Sequence, residues 1–415
     1  MIDVIIVGAG CAGIAAARCL QAAGRTVRVL EARDRVGGRT ATDRTTLGVA
    51  ADLGAAWLHF ADENPWTAIA RAQGRTVIER EPDWGARALV AGRRPSAEDA
   101  AATEKAFGAC WAAVEAAAEA GRDVPVSTLL PVDAFRPRFD AVMTWMMGVE
   151  SHAVSSVDLS RYAESAHDWA VAEGIGTVVS GAAAGLPVSL STPVTEIHWG
   201  DGRVRVRTTS GELRAHAVIV TVPTTVLAQG GIRFEPALPD THARALRDLP
   251  LGSCNKVFFR FDDADLPLAG TADCLARADT SRTVPFTIRP AGQPLVMAYF
   301  GGDLSRELEA GGGLADFARE SLGACFGAAL PRAIRATLVT GWDADPWARG
   351  CYSSARPGAA DQRGVLGTPV SPQLLFAGEA CHAGHYGTIY GAWQSGTTAA
   401  QHLLDTLVAT PRSTP

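Results

Sequence analysis

Apolar positions along this chain repeat with two different periods. Val4-Ile5-Ile6-Val7 is a short apolar run that stops at Gly8. Residues 12–23 are alanine-rich, with Ile14 and Leu20 on one helical face, and Val27-Arg28-Val29-Leu30 is a second short run. This pattern predicts a strand–helix–strand unit of about thirty residues, the length of a βαβ crossover. A helix is predicted over 65–73, with Pro65 in its first turn and Gly74 as its stop. Another is predicted over 96–121, opening on Ser96 and Asp99 in a capping-box arrangement and ending at Gly121. Residues 136–173, with Trp145, Met146, Met147 and Trp169, read as mostly helical.

The pattern then shortens. Val188–Leu190, Val194–His198, Arg203–Thr208 and Ala217–Val222 are β-type runs, and Gly200-Asp201-Gly202 is a hairpin signal. Residues 255–261 and 295–300 are further strand candidates, and 313–326 and 391–408 are helical. The fold class predicted is α/β: a Rossmann-like dinucleotide-binding domain with a second mixed sheet-and-helix domain.

Composition narrows the options. With 415 residues, 47% hydrophobic and 20% charged, the chain can bury a large core and is not globally disordered. A net charge of -6 argues against nucleic acid or an acidic membrane as partner. No apolar run reaches the roughly 18 residues of a membrane span. Met1-Ile2-Asp3 has no basic region before its apolar stretch, so the start reads as a strand and not as a signal peptide. The eight cysteines contain no C-x-x-C pair, and no metal site is expected. Reduced thiols in a cytoplasmic protein are the expectation. Among 38 basic side chains only Lys105 and Lys256 are lysines, which with the alanine bias suggests a bacterial genome of high GC content.

Gly8-Ala9-Gly10-Cys11-Ala12-Gly13 fits G-x-G-x-x-G directly after a strand and at the start of a helix, and Glu31 ends the next strand. In that context the motif is a dinucleotide fingerprint. Gly8 allows the tight turn, Gly10 the approach of backbone to pyrophosphate, and Gly13 close helix packing. Glu31 is placed to accept from ribose hydroxyls.

The residues that follow, Glu31-Ala32-Arg33-Asp34-Arg35-Val36-Gly37-Gly38-Arg39, resemble the E-A-x-x-R-x-G-G-R segment of the flavin-containing amine oxidase superfamily. Asp52-Leu53-Gly54-Ala55-Ala56-Trp57-Leu58-His59 is similar to the D-x-G-x-x-W-x-H of its polyamine oxidases. Pro250–Val257, Trp342–Ser353, Phe376–Ala380 and Gly391–Gly396 resemble later signatures in the same order. No specific match is seen over 80–175. The resemblance implies FAD held by an FAD domain (1–78, 174–241 and 342–415), with the active site where it meets a substrate domain (79–173 and 242–341).

The resemblance also implies roles. Gly8, Gly10, Gly13, Glu31, Ala32, Arg33, Gly38, Arg39, Gly54, Ala55, Val194, Gly378, Glu379, Thr388 and Ile389 would surround FAD. Arg33 and Arg39 would face phosphate and Arg35 solvent. Trp57 and Trp347 would lie near the flavin, with a plain core tryptophan as the alternative for Trp347. Lys256 would hold a water beside flavin N5 and assist reoxidation. Tyr352 would form one wall of an aromatic cage. Thr388 stands at the other wall's position, with Tyr386 and Tyr390 near it. His59 would bond a substrate nitrogen or sit satisfied in the core. Cys351, in Gly350-Cys351-Tyr352, would carry flavin through a thioether or be a buried thiol, and noncovalent FAD is favoured.

The expected reaction is amine oxidation: a hydride equivalent passes to flavin N5, the imine hydrolyses, and oxygen becomes hydrogen peroxide. An alkylamine with pKa around 10 must be held neutral, which an apolar pocket favours by desolvation. Amino-acid oxidases are disfavoured by Trp57 where they usually place arginine. A desaturase of the same superfamily and a flavin-bound interaction scaffold are the remaining readings. The amine, the oligomeric state and the electron acceptor are not written in the sequence.

Overall fold

The computed structural model describes residues 2–81, 88–165, 167–266 and 272–408. Its first unit is β1 (Ile2–Val7), α1 (Cys11–Ala22) and β2 (Val27–Leu30), with β1 and β2 parallel. Successive side chains of a strand point to opposite faces. Val4 and Ile6 therefore enter one core, with α1 and the final helix Ile389–Val408. Ile5 and Val7 enter a second core on the other face. Both faces are covered, so the strand is an unbroken apolar run instead of an alternating one.

Around β1 lies an eight-stranded sheet in the order Arg233–Glu235, Val194–His198, Val204–Thr208, Gly211–Val220, β1, β2, Val188–Ser189, with Leu374–Phe376 also pairing to Gly211–Val220. The pairs around β1 are parallel, and Val194–His198 to Gly211–Val220 form an antiparallel meander. Gly200 and Gly202 turn the predicted hairpin with φ of +106° and +77°.

A second sheet has six strands: Ala336–Val339, Cys254–Arg260, Leu295–Gly301, Pro285–Ile288, Ala272–Leu275 and Leu89–Val90. Val257 and Phe259 pack in a core with Leu304, Leu314 and Leu322 of the helices Gly302–Gly311 and Leu314–Phe326. Phe258 and Met297, on the opposite face, pack with Leu47 and Ala51. Lys256 and Tyr299 lie opposite each other on that same inner face. A helical layer, Ala97–Glu119 and Arg136–Met147, buries Val114, Phe139, Met143 and Met147 with Tyr386.

The helical reading of 136–173 is corrected. Helix Arg136–Met147 stops at Gly148, which adopts φ +69°. A Cβ at Gly148 would stand 2.8 Å from Cys351 Sγ and 2.9 Å from Gly252 Cα, so backbone packing fixes the break there. A short helix, Ser156–Arg161, follows, and 169–171 instead pair with residues 58 and 77–78.

Candidate active site at the junction of the two sheets

The cofactor cradle begins at Gly8, whose φ of +105° only glycine adopts readily. A Cβ on Gly13 would stand 2.0 Å from the Gly8 carbonyl oxygen, so α1 lies directly on the turn. Gly10 and Gly38 face each other, a Cβ on Gly38 reaching within 3.3 Å of Gly10 Cα. The α1 N-terminus has no side-chain cap, so its leading N–H groups are directed outward, where an anion is stabilised. Glu31 is buried and accepts from the N–H of Ala9 (2.7 Å) and of Arg33 (2.9 Å). Ala32 lies between them on the same loop. Ser191 and Thr192 donate to the carbonyls of Arg33 and Glu31, which sets the buried Val194 beside this end.

Arg39 points inward. It donates to the Cys351 carbonyl and, at 3.1 Å, to Glu379 Oε1. Glu379 also accepts from Ser353 N–H and Oγ and from Gly387 N–H. Burial alone would raise its pKa, but Arg39, Arg363 and these hydrogen bonds hold it below the usual carboxylate value. Arg39, Gly378 and Glu379 line a cleft with Val220–Thr224. It opens past the carboxyl ends of Gly211–Val220 and Leu374–Phe376, where open α/β sheets bind ligands. The Val220–Thr224 wall was missed in the sequence. Its signal was the apolar run ending in Thr221-Val222-Pro223. Thr221 Oγ1 donates to Val7 O (2.9 Å) and Gly8 O (3.2 Å), bracing the glycine turn.

Arg33 is paired with Asp345 at 2.5 Å. Two expectations change. Arg35 is not a solvated surface residue. It folds onto the carbonyls of Val36 (3.2 Å) and Gly38 (3.0 Å), and burial lowers its pKa. Trp347 is 39% exposed and is not a core tryptophan; Trp342 is the buried one, bonded to Leu53 O.

Lys256 stands at the junction, only 5% exposed. Its Nζ donates to Asp52 O (2.9 Å) and Gly54 O (2.5 Å). Burial pulls its pKa from 10.5 down to about 8, and the Asp52 charge offsets this only in part. A Cβ on Gly54 would stand 1.8 Å from the Arg39 carbonyl oxygen, so the Lys256 perch is welded to the cradle. Ala55 N–H also donates to Arg39 O. Ala56 and Trp57 border a mostly apolar cleft with Phe258, Leu295 and Met297.

Tyr352 is held at its hydroxyl, which donates to Trp145 O, meets Tyr299 Oη at 2.9 Å and receives the Cys254 thiol at 3.1 Å. Burial pushes its pKa well above 10. Gly387 passes 3.6 Å from Tyr352 Cβ, measured from the Cβ position it lacks. Cys351 is a free thiol hydrogen-bonded to Cys254. His59 pairs through Nδ1 with Asp168 at 2.6 Å.

Thr388 immediately precedes the final helix, Ile389–Val408. Its hydroxyl donates to His385 O (2.7 Å) and accepts from Gly391 N–H (2.9 Å). Ile389 is buried in the core, and its carbonyl accepts from Trp66 Nε1. Tyr386 is spent on Asp158 O at 3.0 Å, with the Arg363 guanidinium 3.6 Å from its ring centre. Tyr390 stacks on His385 with centroids 4.8 Å apart. Among the described residues no His/Cys/Asp/Glu group is arranged to hold a metal.

The glycine turn, the acidic residue ending β2 and the outward-facing N–H groups of α1 fit a bound dinucleotide, and Lys256 at the end of that track fits a redox one. The fold and site define a flavin-dependent oxidoreductase. The family model for flavin containing amine oxidoreductase matches residues 11–91 and 134–404, and the chain belongs to that family. It is similar to polyamine oxidase 4 of Oryza sativa subsp. japonica, 31% identical over 96% of this chain and 88% of that protein. Probable polyamine oxidase 4 of Arabidopsis thaliana is 30% identical over 96% and 86%. Lysine-specific histone demethylase 1 homolog 1 of rice is 29% identical over 97% of this chain but 52% of its own length. The protein is an FAD-dependent amine oxidase.

Proposed function

We propose that this enzyme oxidises a polyamine-type aliphatic amine at a carbon next to nitrogen, with oxygen as acceptor. A secondary amine R–CH2–NH–R′, oxygen and water give R–CHO, R′–NH2 and hydrogen peroxide. The observation that carries the reading is Lys256, buried and seated on Asp52 O and Gly54 O where the cradle meets the second sheet. FAD, when bound, supplies the two-electron chemistry. The chain's own groups set the conditions. Lys256 holds a positive charge at the junction, which favours negative charge developing beside it. Trp57, Phe258, Leu295 and Met297 make an apolar wall that favours the neutral amine by desolvation. Tyr352 and Tyr299, bonded to each other, present a fixed aromatic edge.

Charge supports the polyamine class. Asp62, Glu63, Glu81, Glu164 and Asp168 gather on the segments around His59, matching a substrate with more than one ammonium group. The relatives named polyamine oxidases support it independently. We further propose that FAD is held without a covalent bond, since the Cys351 thiol is turned to Cys254. The test is a panel of polyamines, acetylated polyamines, aromatic monoamines and amino acids, with peroxide measured against oxygen consumed. The expected result is one peroxide per oxygen with a polyamine. Turnover confined to amino acids contradicts the reading.

A further inference from the structure

The backbone around His59 is fixed on both sides. Leu58 and Trp169 exchange N–H···O bonds of 2.7 and 3.3 Å, Ala61 N–H donates to His167 O, and Phe60 N–H donates to Ser165 Oγ. The His59 carbonyl accepts from Asn64 Nδ2 at 2.8 Å. Across this ladder, Asp168 is 8% exposed and sets Oδ1 2.6 Å from His59 Nδ1. Asp168 is itself braced: its N–H donates to Glu81 Oε2, and Glu81 Oε1 takes Trp169 Nε1 and His167 Nδ1, each at 3.0 Å. The imidazole edge is open, its side chain 26% exposed, and among the described residues Nε2 has no hydrogen-bond partner.

A carboxylate only accepts, so Nδ1 carries the proton, and a ring that keeps one proton there leaves the Nε2 lone pair open. The place of that lone pair matters. The chain runs from the Lys256 perch at Gly54 through Trp57 to His59. Beyond it, Phe60 lies 4.5 Å from His385 by ring centroids, and the 385–388 loop carries Gly387 against Tyr352. His59 is thus linked to the lysine end through the chain and to the tyrosine end through the Phe60–His385 contact.

We infer that Asp168 is a positioning residue: through Nδ1 it fixes the tautomer and direction of His59, so that Nε2 accepts the N–H of the amine. This rests on the amine-oxidation reading above. No electrons move in this step; an amine N–H hydrogen-bonds the Nε2 lone pair while the Nδ1 proton stays shared with Asp168.

Two measurements test it. The first is ¹⁵N NMR of the histidine rings in the FAD-loaded protein, with the His59 signal assigned by its loss in H59Q. Wild type should show a protonated Nδ1 and a bare Nε2, and D168A should populate the Nε2–H tautomer. The second is anaerobic flavin reduction by spermine. D168A and H59A should each lower the rate constant over KM by about fivefold to tenfold, the worth of one neutral hydrogen bond. The double variant should lose no more than H59A alone, because Asp168 acts only through the ring. D168E should recover part of the loss. An unchanged His59 tautomer in D168A, or losses that multiply in the double variant, would overturn the inference. Should no amine reduce the wild-type flavin, the functional reading fails, and the tautomer measurement still decides the role of Asp168.

Discussion

A single buried ammonium sets the pH behaviour expected of this enzyme. Lys256 has a pKa lowered to about 8 by burial, so it is charged below that value and neutral above it. Reoxidation of the reduced enzyme by oxygen should therefore slow as pH rises through about 8, measured by stopped-flow absorbance after photoreduction. Lys256→Met should slow it roughly a hundredfold and remove that pH step, a magnitude typical of losing one preorganised electrostatic group. A pH-independent wild-type rate would contradict the role. At Glu379, four partners converge on one carboxylate. Glu379→Ala should release much of the FAD on gel filtration, because Arg39 loses its anchor. Lys256 and Glu379 could be singled out from the sequence because each stands inside a contiguous motif, and both are buried in the fold. Asp168 could not be singled out, since its partner is 109 residues away and no local pattern links them. The capping role of Thr388 was also open to a local reading: a threonine directly before a helix is an N-cap, and its hydroxyl accepts from Gly391 N–H.

Elements carry the motifs for packing reasons as much as for ligand contact. The closing G-A-x-x-S-G signature lies on the final helix, and a Cβ on Gly396 would stand 2.1 Å from the Ala12 carbonyl oxygen of α1. Gly396→Val should lower the melting temperature by the equivalent of about 1–3 kcal/mol, and it should weaken FAD binding because α1 opens the cradle. An unchanged melting curve would show that the two helices can part without strain. The strands and helices with strong periodicity, β1, α1, β2, 194–198 and 254–260, were readable because their apolar positions match one period over their whole length. Strands Ala272–Leu275 and Pro285–Ile288 and helix Gln362–Gly367 were missed, being four to six residues long and mixed in polarity. Their pairing is decided by neighbours far along the chain.

At the scale of the molecule, one buried charge pair ties distant regions together. Arg363 Nε meets Asp158 Oδ1 at 2.6 Å and Nη2 meets Oδ2 at 2.8 Å, with both side chains 1% exposed. Arg363 also donates to Ser353 Oγ, which donates to Glu379. The chain of contacts thus runs from helix Ser156–Arg161 to the cradle. Removing one partner leaves an uncompensated buried charge, so Asp158→Ala should cost about 3–5 kcal/mol in denaturant unfolding, against little for an exposed pair such as Arg71–Glu79. The flavin should leave the protein on acid denaturation, and Cys351→Ser should retain FAD and turnover. Protein-bound flavin after denaturation would instead place the thioether at Cys351.

The measurement closest to the central claim is anaerobic mixing of the FAD-loaded enzyme with spermine, followed by flavin absorbance. Polyamines should bleach the flavin, faster at higher pH as the amine loses its proton toward a pKa around 10. Absence of bleaching by every amine, while dithionite still reduces the flavin, would contradict amine oxidation at this junction.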